Sequence, residues 1–351
     1  TQAMKIMSYA IISLLILLSC EVSLVHAQIP TSGSRNVLSP LMRNSIVPPF
    51  ALIATPQSPS PGQKVTITTQ ATSFDPHRTR YIWTVDGEPR PDLSGLGKNS
   101  FVFTAAQVGS TKYISVQAEP ISDRPVTASL TVYTTDVSMT WTTDTYVPKW
   151  YKGKALPIPN SIVRVAAIPT IIIEGITIPA DKLIYTWEKD GERVLIGAGK
   201  QILEFQEPEQ SWDAPTIVLT LEDIEHRIQK EARVIVTISR PHAVIYQSFP
   251  FGGVEFRRGT SAFFPISPGI VDVQVEPFFF NNQSRYDFSY EWLVQGTAVP
   301  GSPKNPFLLT LDTQQQSLND ISIYATVEEK VKDTNLYLPT ASSFVTIPIT
   351  Q

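Results

Sequence analysis

The sequence predicts an all-β chain of three tandem antiparallel β-sandwiches behind an N-terminal signal peptide. Three observations carry this prediction. A seven-residue pattern recurs as Tyr81-Ile-Trp83-Thr-Val-Asp86-Gly87, Tyr185-Thr-Trp187-Glu-Lys-Asp190-Gly191 and Tyr290-Glu-Trp292-Leu-Val-Gln295-Gly296, with the tryptophans 104 and 105 residues apart. A period of that size, about one small domain, marks a tandem array. A further β-rich run, starting at Ile114, Ile217 or Ile321, follows each tryptophan by 31, 30 or 29 residues. Between these landmarks, short alternating apolar runs are separated by Pro, Gly and Asp-Gly turn signals, which is the texture of antiparallel sheets.

The elements follow in order. Lys5 precedes an apolar run from Tyr9 to Leu18, and Val25-His26-Ala27 follows before Gln28, so residues 1–27 read as a secretory signal peptide cleaved after Ala27. The apolar run is too short to span a bilayer comfortably and Glu21 interrupts its extension; an uncleaved anchor is the alternative. Leu17-Leu18-Ser19-Cys20 loosely resembles a bacterial lipobox, which makes Cys20 a candidate lipidation site, although a leucine before the serine fits poorly. Cleavage after Ala27 would leave no cysteine, and a secreted β protein without disulfides points to a bacterial source. The residues before Met4 read as a translated open frame.

Residues 28–46 are rich in Ser, Pro and Asn and read as a flexible leader. Domain 1 spans 47–135, domain 2 spans 136–240 and domain 3 spans 241–351. In domain 1, Pro61-Gly62 introduces the alternating run Lys64–Thr69, followed by Tyr81–Val85, Ser100–Thr104, Tyr113–Ala118 and Ala128–Tyr133. The other two repeats keep that order. The best helical candidates, Ala105–Val108 and Leu221–Lys230, are expected to be short turns or an extended hairpin. Proline, 29 of 351 residues, stiffens joints such as Arg240-Pro241 and favours semi-rigid connections.

Trp83, Trp187 and Trp292 each have a tyrosine two residues earlier (Tyr81, Tyr185, Tyr290) and therefore on the same strand face. Burying such a ring removes roughly 150–250 Å² from water, several kcal/mol at about 25 cal/mol per Å². These six residues are expected to be core pins; the functional alternative, a carbohydrate-stacking platform, needs exposed rings. The Asp86-Gly87 and Asp190-Gly191 pairs suit two-residue hairpin turns, with calcium at Asp75, Asp86 and Asp92 as a weaker alternative lacking Asp-x-Asp-x-Asp spacing. Trp141 and Trp212 lie outside the repeat, and their exposure stays open. Trp150-Tyr151, beside Lys149 and Lys152, is a candidate partner surface. So is Phe278-Phe279-Phe280: alternation cannot bury three consecutive side chains on one face, so either Phe279 or its two neighbours must pack against a loop, an adjoining domain or a partner.

Catalytic and metal sites are not expected. Gly-x-Ser-x-Gly, His-Glu-x-x-His and phosphate-loop motifs are missing, and His77, His226 and His242 stand in unrelated contexts. The carboxylate pairs Glu207/Glu209 and Glu328/Glu329 read as solvated surface. No cofactor is implied. The net charge of −4 is spread without a basic segment, which argues against nucleic acid.

The repeats resemble immunoglobulin-like domains of the polycystic-kidney-disease (PKD) type found in bacterial surface proteins. The first is the best match, through Pro61-Gly62-x-x-Val65, Tyr81-x-Trp83 and Phe101-Val102-Phe103-Thr104; the usual Trp-Asp-Phe-Gly-Asp-Gly segment is replaced by Trp83-Thr-Val-Asp-Gly. The resemblance implies a secreted or cell-surface, non-enzymatic adhesion or structural protein. The alternative is an accessory carbohydrate-binding or spacer region of a secreted enzyme or pilus-like assembly. Expected partners are a protein or glycan at the cell surface, or a second copy of the chain. Membrane contact is expected only through the N-terminal segment, uncleaved or lipidated.

Overall fold

The computed structural model describes residues 49–349, apart from 122, 250, 260–265, 268, 282–283, 315–319 and 331–338. The expected signal peptide, leader and Cys20 therefore lie outside the described residues. In domain 1 the strands are β1 (Phe50–Thr55), β2 (Lys64–Ala71), β3 (Arg80–Val85), β4 (Glu88–Pro89), β5 (Gly95–Leu96), β6 (Ser100–Thr104), β7 (Thr111–Glu119) and β8 (Val126–Tyr133). One sheet runs β1-β2-β6 and the other β4-β3-β7-β8, with β5 also on β3. Domain 2 comprises β9 (Asp136–Thr143), β10 (Ile162–Thr170), the hairpin β11 (Ile172–Ile173) and β12 (Ile176–Thr177), β13 (Leu183–Lys189), β14 (Glu192–Ala198), β15 (Ile202–Gln206), β16 (Thr216–Asp223) and β17 (Gln229–Ile235). Its main sheets run β15-β10-β9 and β14-β13-β16-β17. Domain 3 comprises β18 (His242–Phe249), β19 (Gly253–Val254), β20 (Ile270–Phe278), β21 (Phe288–Val294), β22 (Thr297–Val299), β23 (Leu308–Asp312), β24 (Asp320–Glu329) and β25 (Thr340–Pro348). Its sheets run β19-β18-β20-β23 and β22-β21-β24-β25. Each pair of sheets encloses its own core, so the protein is a tandem array of immunoglobulin-like β-sandwiches.

Period-two patterning builds the strands. In β2, Val65 and Ile67 point inward and are fully buried while Lys64, Thr66 and Thr68 face water. The central strand of each second sheet carries the repeated tryptophan. Trp83, Trp187 and Trp292 are each at most 1% exposed, paired across to Val116, Leu219 and Ala325. Each indole N–H finds the same kind of partner: Nε1 donates to the carbonyl of Lys98, Lys200 or Pro306, at 2.8, 2.7 and 2.9 Å, two residues before β6, β15 or β23. One side chain thus fills a core and anchors the opposite sheet. Tyr81 and Tyr185 are fully buried and Tyr290 is half-buried; the Tyr185 and Tyr290 hydroxyls donate to the carbonyls of Ala180 and Arg285, five residues earlier.

The turn pairs behave as their residues require. Asp86-Gly87, Asp190-Gly191 and Gln295-Gly296 all have positive φ at both positions, the conformation of a two-residue hairpin. The Asp86 and Asp190 carboxylates accept from the Tyr113 and Thr216 amides at 2.9 Å, tying each turn to the next strand. Asp75 instead accepts from the His77 amide, and Asp92 pairs with Arg90, so the three aspartates weighed for calcium serve separate local structures.

Both helical candidates are non-helical: Ala105–Val108 is a bend, and Leu221–Lys230 is the β16–β17 hairpin. Asp223 closes that hairpin, its side chain 2% exposed, accepting from the Arg227 and Ile228 amides at 2.6 and 3.1 Å and from Arg227 Nε at 2.8 Å. Burial pushes its pKa up, but these donors outweigh burial and hold the carboxyl below the usual range. A depressed folded pKa adds stability above the unfolded value, near 4, which is lost as pH falls toward the folded value. Asp223→Asn should therefore destabilise domain 2 by about 1–3 kcal/mol at pH 7. Acid titration of the two melting curves should bring them together.

The described residues, from Pro49 onward, form one compact unit. Domains 1 and 2 meet where Lys230, 6% exposed, donates through Nζ to the Ser58 carbonyl at 3.0 Å and the Ser60 hydroxyl at 2.6 Å, while the Gln229 amide donates to Ser58 Oγ. Burial lowers the Lys230 pKa, opposed by the charge of Asp136.

Candidate functional site

The connection from β9 to β10, residues 144–161, is far longer than a hairpin turn and crosses onto domain 3. Pro148, Pro157 and Pro159 restrict its backbone, and it is held by main-chain bonds. The Tyr146 amide donates to the Phe280 carbonyl and the Phe279 amide donates to the Tyr146 carbonyl, both at 2.7 Å. Asn281 Nδ2 donates to the Pro159 carbonyl, and the Ser239 amide to the Pro157 carbonyl, both at 3.0 Å.

The two predicted partner surfaces meet here, on each other. Trp150 stacks on Phe256 with ring centroids 4.1 Å apart and presents edge contacts to Tyr246 and Phe278, while Tyr151 packs edge-on against Phe278 and Phe279. Phe278 and Phe279 are 6% exposed, and Phe280 is fully buried in the core of domain 3 against Phe288. Trp150 and Tyr151, expected as a partner surface, therefore find their partner in the same chain, while the Phe278–Phe280 run packs, through Phe278 and Phe279, against an adjoining domain, one of the outcomes expected for it. The split of the phenylalanine run also departs from strict alternation. Phe279 adopts φ +61°, which breaks the strand and lets two consecutive rings enter one cluster while the third turns into the core.

A cleft of about 350 Å³ opens beside this cluster, its lining including Tyr146, Trp150, Phe256, Glu276, Arg285 and Tyr286. The excursion packs on the outer face of β18 and β20 through Tyr246 and Phe278, and on this face Gln274 and Glu276, at strand positions that ordinarily face water, are buried. Glu276 is 1% exposed. Its Oε1 accepts from Arg285 Nη1 at 2.8 Å and from Gln274 Nε2, whereas Oε2 has no hydrogen-bond partner among the described residues. Burial pushes the Glu276 pKa up, opposed by the Arg285 guanidinium and the Gln274 amide. Burial, reinforced by the Glu276 charge, pushes both Tyr146 and Tyr246 up to about 12. Arg285 lies 4.2 Å over the Phe307 ring and begins a short 3-10 turn capped by the Ser284 hydroxyl.

Other sequence candidates fall elsewhere. Trp141 is buried in the core of domain 2 with Lys154 Nζ 3.4 Å over its ring, and Trp212 is 39% exposed beneath Arg240. Glu207 and Glu329, read as solvated, are 2% and 7% exposed, a correction that follows from loops and sheets closing over strand ends. Burial raises the Glu207 pKa, opposed by Lys189. Among the described residues no three His, Cys, Asp or Glu side chains form a metal-binding group. Sequence reasoning missed Glu276, Gln274 and Tyr146; the available signal was polar residues alternating with Val271, Val273 and Val275, which marks a face without revealing what covers it.

No protein-family model and no curated protein sequence matches this chain. Similar solved structures include three N-terminal domains of the highly immunogenic outer capsid protein of bacteriophage RB49, at 12% identity over 86% of this chain and 98% of that one, with a TM-score of 0.23. The central fibronectin-III array of RIM-binding protein is 12% identical over 86% of this chain and 96% of that one, with a TM-score of 0.30. Fibronectin-III-like modules of CbhA from Clostridium thermocellum are 13% identical over 54% of this chain and 94% of that one, with a TM-score of 0.26. The immunoglobulin-like assignment stands on the strand order itself.

Proposed function

We propose that this chain is a non-enzymatic, secreted or cell-surface protein of immunoglobulin-like modules that serves as a spacer and adhesion element. The observation that carries this reading is the joint between domains 2 and 3. There the large aromatic side chains and a pair of main-chain bonds fix one module on the next, a device for holding modules in register. The buried Lys230 contacts at the preceding joint support the same role. Export is supported by the charged start, the apolar Tyr9–Leu18 run and the small residue Ala27. Fractionation of producing cells with N-terminal sequencing tests the reading. A mature form beginning at Gln28 outside the cytoplasm, or a surface form held through Cys20 or the intact apolar run, is the expected result. Recovery from the cytoplasm with residues 1–27 intact would overturn it.

A further inference from the structure

The aromatic joint leaves one part of its surroundings unclosed, and the chemistry of that part is specific. The cleft takes its walls from both domains: Tyr146 and Trp150 come from the β9–β10 excursion, Glu276 from β20, and Arg285 and Tyr286 from the turn before β21. At about 350 Å³ it lies within the usual range of small-ligand sites, roughly 300–1,000 Å³. Its lining includes a buried carboxylate, Glu276, fixed on one oxygen by Gln274 and Arg285 and, among the described residues, lacking a donor on the other. A buried acceptor without a donor costs free energy, and a ligand hydroxyl or amide that reached Oε2, itself closed to water, would relieve it.

Charge narrows the ligand class. A cation would meet the Arg285 guanidinium, 2.8 Å from the carboxylate, and the exposed Lys149 at the rim. An anion would meet the buried Glu276. A neutral polyhydroxyl ligand answers both, since a hydroxyl donates to a carboxylate and accepts from a guanidinium or ammonium. The apolar C–H face of such a ring also matches Tyr286, which is 56% exposed, and the neighbouring aromatic wall. We infer that the cleft between domains 2 and 3 binds a neutral sugar residue of a glycan, with Glu276 and Arg285 as its polar contacts and Tyr286 as its stacking wall. This inference rests on the adhesion reading and gives it a ligand class.

Calorimetric titration of the mature full chain tests it. The neutral probes are the methyl glycosides of glucose, galactose, mannose and N-acetylglucosamine and an oligosaccharide of each; choline and acetate serve as charged probes. Saturable binding of at least one neutral probe is expected, weakened at least about tenfold by Tyr286→Ala and by Glu276→Gln. Tighter binding of the oligosaccharide would identify an extended glycan as the source, and equal binding a single sugar; both uphold the site. Tyr286 is exposed, so its variant remains informative if Glu276→Gln fails to fold. Absence of saturation with every neutral probe, preference for choline or acetate, or binding unchanged in Tyr286→Ala would overturn the inference. N-terminal sequencing reads export independently, so failure of the sugar site is distinguishable from failure of the adhesion reading.

Discussion

Trp187→Ala should destabilise domain 2 by about 3–5 kcal/mol, enough to bring a module of ordinary stability close to unfolding. The indole is fully buried between the two sheets, flanked by Tyr185 two residues earlier on the same face and by Leu219 across the strand pair. Removing it opens a cavity that neighbours on two rigid sheets cannot fill. It also leaves the Lys200 carbonyl without the 2.7 Å bond from Nε1. Trp187→Phe weights the second effect, since it keeps most of the apolar volume while losing the donor; a cost of about 1–3 kcal/mol is expected. The same mutation should weaken domain 3, because the excursion that covers β18 and β20 is anchored between β9 and β10 of domain 2. Chemical denaturation with separate probes for the two domains checks both statements. A loss below about 1 kcal/mol in Trp187→Ala would refute the pin.

Much of this was legible in the residues, and the boundary has a physical cause. The Tyr-x-Trp strands and the Asp-Gly turns are local features: alternation fixes the buried face, and positive φ at two successive positions demands such residues. Their spacing even located the strands that pair with them. The candidate site is non-local. Phe279 takes a left-handed conformation that no alternation rule anticipates, and this alone decides which two of three phenylalanines share a cluster. Glu276 and Gln274 sit where an antiparallel strand would show polar residues to water; they are buried on a face where a segment more than one hundred residues earlier packs, lining one cleft with Glu276. Trp150 and Tyr151 stood out as sticky, and they are, but the surface they match was already in the same sequence.

That intramolecular match makes a second large effect testable. Trp150→Ala should loosen the joint and destabilise domain 3 by about 2–4 kcal/mol while leaving the core of domain 2 intact. Trp150 belongs to domain 2 by sequence, yet its ring contacts are Phe256 at 4.1 Å, Tyr246 at 5.6 Å and Phe278 at 6.0 Å, all in domain 3. Phe278→Ala should give a comparable loss. The double variant should cost less than the two singles combined, because the first truncation already opens the cluster to water; a coupling of about 0.5–3 kcal/mol is expected for residues in contact. Strict additivity would mean that the rings touch without cooperating and that the main-chain bonds between Tyr146 and Phe279–Phe280 hold the joint. Melting should separate these outcomes in one further respect. In the parent chain domains 2 and 3 should unfold together, since unfolding either exposes the shared aromatic cluster. With Trp150 removed their transitions should part, domain 3 melting first, because its outer sheet face at Tyr246, Gln274 and Glu276 loses the cover that made burial of those polar groups tolerable.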